Sequence, residues 1–443
     1  MKFKFGYISK IIIAVIGLLV ILSLLVYIVS FRYIYYNSSS IYSVYIPAVL
    51  NNSNNLSGEI TQFSLYVSNG DGTVYESVPP IFQQPYNLAY LYAKDAYCSI
   101  DPINCNNYNY YFSSNDVLFA DGFSGTAGLT LLVLEALNNE TPIVNYPVTG
   151  FMLPNGLIAP VAGISYKLNA TLQYFPYLVA PYYNNSNIIP ISTILDLENV
   201  YFNYTINETY SPPASYTSTI KNIESQICSG INDTNVSYYI SRGDYYTAAS
   251  LCFESHVSSN NINISEAQVI NDINSLYNNV TSYSCYGNYE CKEIKYQVIS
   301  RLEAANSSLN NISYSYWRYY SALGWSEFLP ITQNINKNNE CNLINQEYQL
   351  MQYTYQGQLP QNLSCFDEMN FLANIYYLYI ANDTNYMNIN TANNIEYLDY
   401  YYYNKYGFSI TSYNYLQFGK DLIEMNQTES GFYYLILSIE YAI

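Results

Sequence analysis

The sequence predicts an α+β unit set between an N-terminal transmembrane helix and an all-α C-terminal region. Three observations carry that expectation. A twenty-residue apolar run, IIIAVIGLLVILSLLVYIVS, fills Ile11 to Ser30 behind Lys2, Lys4 and Lys10. Strand-like and helix-like patterns then alternate from about Ile41 to Thr205, and from about Ser211 onward the strand signals fade and helical ones separated by Asn-rich links take over. The expected units are a cytoplasmic stub and anchor over 1–36, an α+β domain over 37–208 and a helical domain over 209–443.

Twenty helical residues span roughly 30 Å, the thickness of a bilayer's hydrocarbon core. The run passes into FRYIYY, an aromatic interface signature, and is too long for the apolar stretch of a cleaved signal peptide. With the lysines on the cytoplasmic side, the topology is a single-pass cell-membrane protein whose bulk is extracytoplasmic. All eight cysteines follow the anchor, which in that compartment suggests disulfides, neighbour pairing being the simplest arrangement. Glycosylation is expected too, since Asn-x-Ser/Thr acceptors are dense: Asn37, Asn55, Asn139, Asn169, Asn203, Asn207, Asn232, Asn235, Asn279, Asn306, Asn362, Asn382 and Asn426.

Each element of the middle region has its own pattern. VYIPAVL (Val44 to Leu50) and EITQFSLYV (Glu59 to Val67) read as strands, YNLAYLYAKDAY (Tyr86 to Tyr97) as a helix, and DVLFA (Asp116 to Ala120) as a short strand. GTAGLTLLVLEALNN is a helix apolar on nearly every face and must be buried. In YPVTGFMLPNGLIAPVAG two apolar segments flank Pro154, Asn155 and Gly156, a turn combination that favours a strand pair. A helix from Ile164 to Gln173, a strand from Tyr177 to Pro181 and the strand and helix of IIPISTILDLENVYF complete the unit. Beyond it, YTSTIKNIESQI, YYTAASLCFESH, ECKEIKYQVISRLEAANSSL, NLINQEYQLMQYTY and EMNFLANIYYLYI read as antiparallel helical hairpins, with a turn at Arg242 to Tyr245.

Composition excludes several functions. With 33 acidic against 15 basic side chains and a net charge of −18, the chain is unsuited to nucleic acid. Its single histidine, His256, makes a zinc hydrolase or a Ser/His/Asp triad improbable. No cofactor or metal is implied, and Gly419 and Lys420 lack the rest of a phosphate-binding loop. Tyrosine is very abundant, 57 residues, which suits amphipathic packing with hydrogen-bonding tips. His256 and the two tryptophans, Trp317 and Trp325, read as packing residues.

Scarcity of basic residues marks the candidate site. Between Arg32 and Lys221 only Lys94 and Lys167 are basic. Lys167 follows a Gly-containing turn in PVAGISYKLNA, and a buried lysine without a carboxylate partner loses its proton readily and can act as a general base. Its candidate nucleophile is Ser124 in DGFSGTAG, between a strand and a buried helix, where free N–H groups can hold an oxyanion.

DGFSG followed by VTGFMLPNGLIAPVAGISYKLNA resembles the proteolytic domain of Lon-type Ser/Lys proteases, especially stand-alone archaeal relatives without the ATPase. The family pattern is Asp-Gly-Pro-Ser at the nucleophile, Thr-Gly opening a strand pair, a Pro-Val-Gly-Gly turn and a lysine on the next helix. Ser124 falls on the nucleophile, Thr149 and Gly150 on the Thr-Gly, and Lys167 on the lysine, 43 residues after the serine as in the family. Phe123 replaces the usual proline, and Ala162 replaces the first glycine of the pair that ends in Gly163. The resemblance covers about Ile41 to Thr205 and implies a Lon-type proteolytic fold and an ATP-independent endopeptidase acting on polypeptides. Ser124 and Lys167 would be catalytic, Thr149 would position the amine, N–H groups around Gly122 and Ser124 would hold the oxyanion, and Asp121 would shape the loop. Such domains often form rings, so a homo-oligomer is compatible with it. Two other expectations stand beside this one: a catalytically inactive Lon-like cell-surface glycoprotein with a binding or structural role, and a signal-peptidase-like Ser/Lys protease.

Overall fold

Alternation of apolar and polar side chains builds the first layer. In the computed structural model, which describes residues 40–52, 55–77, 84–102, 105–114, 122–206, 208–259, 262–338, 341–354, 359–381 and 383–443, β1 (Tyr42–Asn52) and β2 (Asn55–Asn69) pair antiparallel, with Val44 opposite Phe63 and Ile46 opposite Thr61. Val44, Ile46, Thr61, Phe63 and Leu65 point into the core, as a two-residue period on one covered face requires. The sheet is completed by β3 (Val74–Ser77) and β4 (Tyr108–Ser114) in the order β1-β2-β4-β3, with β3 and β4 parallel. Neither of these two strands is among the sequence expectations, because both are short and rich in polar residues and tyrosine.

Two helices cover the sheet: α1 (Gln84–Ile100) and α2 (Thr126–Asn138). As its all-round apolarity predicts, α2 is buried from Thr126 to Ala136. Next come the tight pair β5 (Phe151–Met152) and β6 (Ile158–Ala159), turned through Pro154, Asn155 and Gly156, then α3 (Ile164–Thr171). The parallel pair β7 (Leu178–Ala180) and β8 (Ile188–Pro190) and the helix α4 (Ile194–Phe202) follow. A capping box between Thr193 and Asp196 starts α4.

Among the described residues every regular element beyond is helical: α5 (Ala214–Ile227), α6 (Thr234–Arg242), α7 (Tyr245–Ser259), α8 (Glu266–Ser282), α9 (Tyr289–Ser307), α10 (Ile312–Ser326), a 3₁₀ segment (Leu329–Asn334), α11 (Cys341–Thr354), α12 (Cys365–Ile380), α13 (Ile389–Tyr406), α14 (Ile410–Glu424) and α15 (Thr428–Ala442). The predicted turn after Arg242 is present, with Gly243 in the left-handed region at φ 89°. In α6, α8, α10, α13 and α14 Asn, Ser and Tyr dilute the apolar period, so these helices are not among the sequence expectations; nor is α15, although its segment YYLILSI is largely apolar.

Apolar packing falls into two main groups. One joins the sheet, α1, α2 and α4 to α11, α12, α13 and α15; the other is formed chiefly by α5 to α10. Tyrosines stitch the C-terminal helices onto the first unit through their hydroxyls. Tyr386 donates to the Ile158 carbonyl (2.7 Å), Tyr402 to Asn155 (2.9 Å) and Tyr401 to Ile100 (3.1 Å). Each ring buries apolar area while its hydroxyl satisfies a carbonyl that packing would otherwise strand.

Cysteines pair as neighbours: Cys98 with Cys105, Cys228 with Cys252, Cys285 with Cys291, and Cys341 with Cys365. Among the described residues no helix is long and apolar enough to cross a membrane. The apolar run at Ile11 to Ser30 and the strand expected at Asp116 to Ala120 lie outside the described residues.

Candidate active site

Lys167 sits on the first turns of α3, and two glycines put it there. Gly163 caps the helix in the left-handed region (φ 73°), and a side chain in its place would also meet the Val49 Cγ2 at 2.5 Å. Gly58 lies where α3 crosses β2, and a Cβ there would stand 2.0 Å from the Tyr166 carbonyl oxygen. An isolated glycine within a strand pattern signals close backbone approach, so this position was legible in the sequence although it was not singled out.

The result is a lysine only 2% exposed. Among the described residues no carboxylate forms an ion pair with it. Burial without a counter-charge pushes its pKa down from the ordinary 10.5 to about 7. The amine donates to the Thr149 Oγ1 at 3.0 Å. Thr149, fully buried, gives its own proton to the Ser124 carbonyl at 2.9 Å. With its proton committed there, the threonine can only accept from the amine, and the lone pair of a neutral Lys167 stays available for another partner.

Ser124 occupies a single turn of 3₁₀ helix, Phe123–Gly125, that leads directly into α2. Its loop is pinned to the β5 entry twice, since the Ser124 carbonyl also accepts the Gly150 N–H (2.9 Å) while the Gly150 carbonyl accepts from Ala127 N (3.2 Å). Gly150 has no room for a side chain, because a Cβ would stand 2.6 Å from the Ile158 Cγ2. Gly122 (φ 93°) precedes the turn and faces open space. The N–H groups at the start of such a turn lack intrahelical acceptors and lie at the positive end of the α2 dipole.

Ser124 and Lys167 line one cleft of about 620 Å³, together with Gly122, Gly163 and Thr61. The structure therefore brings Ser124, Lys167, Thr149, Gly122, Gly150 and Gly163 together, whereas Asp121 lies outside the described residues. Among the described residues no hydrogen bond joins the Ser124 hydroxyl to the Lys167 amine, whose partner is Thr149.

Apolar walls come from Ile46, Val49, Phe63, Phe151 and Val161, and one comes from far away in the chain, Tyr379 of α12. Its ring meets Phe151 edge-on at 5.2 Å. Nothing in the sequence around Tyr379 could reveal this, because the contact depends on how α12 docks. Phe123 also has a physical account: it stacks on Phe151 at 5.0 Å and packs against Tyr92 at 5.0 Å, filling space between α1 and β5.

His256 is structural. Its Nε2 lies 2.9 Å from the Ile227 carbonyl, and its ring stacks on Trp317 at 3.7 Å. No known protein family and no curated protein matches this chain.

Proposed function

We propose that the α/β unit is a Lon-type proteolytic domain and that the protein is a membrane-anchored, extracytoplasmic serine endopeptidase that cleaves polypeptides without ATP. The observation that carries this reading is the uncompensated Lys167 amine, buried, held by Thr149, and opening on the same cleft as Ser124. Exposed acceptor asparagines at 139, 169, 203, 232, 235, 279, 306, 362 and 426, together with four disulfides, support an extracytoplasmic setting. Asn169 lies two residues past Lys167, roughly 200° around the helix, so a glycan there points away from the cleft.

In this mechanism neutral Lys167 takes the Ser124 hydroxyl proton as the Oγ attacks a peptide carbonyl carbon. N–H groups at the Gly122 to Ser124 turn receive the developing oxyanion, each donor contributing about 3 kcal/mol. The Lys167 ammonium returns its proton to the leaving amine as the C–N bond breaks. Water, deprotonated by the same amine, then attacks the acyl carbon, and the Lys167 ammonium returns the proton to Ser124 Oγ as the ester C–O bond breaks. The mechanism requires the hydroxyl and the amine to come within hydrogen-bond reach when substrate binds, as catalytic hydrogen bonds that are long in an apo site often do.

One observation favours a second reading. The amine bonds Thr149 and not the serine hydroxyl, as in a degenerate domain that serves as a cell-surface binding glycoprotein. Cleavage of an unfolded protein by the purified chain, and by Ser124→Ala, separates the two: activity lost in the variant supports the peptidase, and equal turnover by both proteins removes it.

A further inference from the structure

A second cavity, of about 530 Å³, lies among the C-terminal helices, within the packing group formed by α5 to α10 and closed by α14. Two arginines face it, Arg301 on α9 and Arg318 on α10. Arg301 is 7% exposed and lies with its guanidinium carbon 4.0 Å above the Trp325 ring. Its Nη1 donates to the Gln297 carbonyl (2.9 Å) and Oε1 (2.7 Å), and the Tyr415 hydroxyl donates to that same Oε1 at 3.0 Å. The fork is thereby held in place while its Nε–H, buried, has no acceptor; the buried Nε–H of Arg318 has none either.

Neither guanidinium forms an ion pair among the described residues. That is unexpected in a chain with 33 acidic and 15 basic residues, where a carboxylate partner is statistically easy to find. The one carboxylate lining the cavity, Glu254, is exposed and pairs with neither. Unlike a lysine, an arginine cannot shed its proton to escape burial, so a buried guanidinium needs an anion or a full set of acceptors. Burial and the neighbouring Arg301 both push the Arg318 pKa below its ordinary value, which marks the two charges as close and mutually unfavourable.

We propose that this cavity is a binding site for a small organic oxyanion, a carboxylate or phosphate carried on an aromatic or apolar body. The two Nε–H donors supply the charge-assisted hydrogen bonds that planar oxyanions accept. Tyr246, Trp325, Phe418 and Tyr434 supply the walls for the body. The proposal is independent of the peptidase reading, because no residue of the Ser124 cleft takes part in it.

The test is titration of the purified full-length chain with phenyl phosphate, phenylacetate and the neutral phenylacetamide, followed by calorimetry and by tryptophan fluorescence, to which Trp325 reports directly. At least one anion binds saturably and at least tenfold more tightly than phenylacetamide, and Arg318→Gln weakens that anion at least tenfold; which of the two binds tells phosphate from carboxylate recognition. Arg318→Lys, which keeps the charge and loses the planar fork, gives an intermediate loss and serves if the glutamine variant does not fold. No saturable binding of either anion, equal affinity for phenylacetamide, or an Arg318 variant with unchanged affinity overturns the proposal.

Discussion

Among the described residues two lysines are buried, one in each region, and they are treated in opposite ways. Lys337, among the C-terminal helices, donates to Glu293 at 2.7 Å and to the Tyr441 carbonyl, and Glu293 also accepts from Ser409 at 2.8 Å. Lys167, in the α/β unit, has a threonine hydroxyl as its hydrogen-bond partner and, among the described residues, no carboxylate. A lysine that holds helices together is given a counter-charge, because an unpaired buried charge is strongly destabilising. A lysine left without one is driven toward its neutral form, and the neutral form is a base. The contrast teaches that burial alone does not make an amine a candidate base; burial without a counter-charge, beside a cleft, is what the proposed role requires.

That contrast can be broken most sharply by removing each amine in turn. Lys167→Met and Ser124→Ala each lower peptide cleavage by about 10³-fold or more while circular dichroism stays close to wild type. Lys337→Met does the reverse: it leaves Glu293 buried and unpaired, so stability falls by about 3–5 kcal/mol in denaturant titration while any folded fraction retains activity. Thr149→Val keeps the shape of the site and removes the acceptor for the Lys167 amine. Turnover drops by about 10²-fold, mostly in kcat, because a misdirected lone pair costs geometry and not substrate affinity.

The smallest effect is on stability as a function of pH. Between about 7 and 10.5 the unfolded Lys167 holds a proton that the folded one does not, so wild-type stability rises with pH across that window. Lys167→Met lacks this dependence. It is therefore more stable than wild type near neutral pH, by an amount on the order of a few kcal/mol, and its advantage shrinks as pH approaches 10.5. A stability difference that does not vary with pH contradicts a depressed amine pKa.

Much of the α/β unit was legible from pattern. The buried α2, the β5–β6 pair around Pro154 to Gly156, and α3 with Lys167 all follow from apolar period and turn residues. The cysteines do pair as neighbours, the simplest arrangement, although their spacing alone leaves the connectivity open. What pattern could not supply was long-range: Tyr379 forming a wall of the Ser124 cleft, and Tyr386 and Tyr402 fastening α13 and its lead-in to β6 and its turn. The strands β3 and β4 were missed for a different reason. Asn, Ser and Tyr interrupt them, so the buried face of β4 (Tyr110, Phe112 and Ser114) carries little apolar signal and β3 is largely exposed; Tyr90 of α1 meets Phe112 at 4.7 Å only once the chain is folded. Lys167 was legible as a candidate because lysine is scarce in that stretch, which made it stand out before any geometry was known.

The most direct measurement is the titration of the Lys167 amine itself, read from the ¹³Cε resonance of lysine-labelled protein and assigned by its loss in Lys167→Met. A midpoint near 7, well separated from the solvent-exposed lysines, is the predicted result. A Lys167 resonance that titrates with the others near 10.5 would show the amine charged at neutral pH and would contradict the general-base role on which the peptidase reading stands.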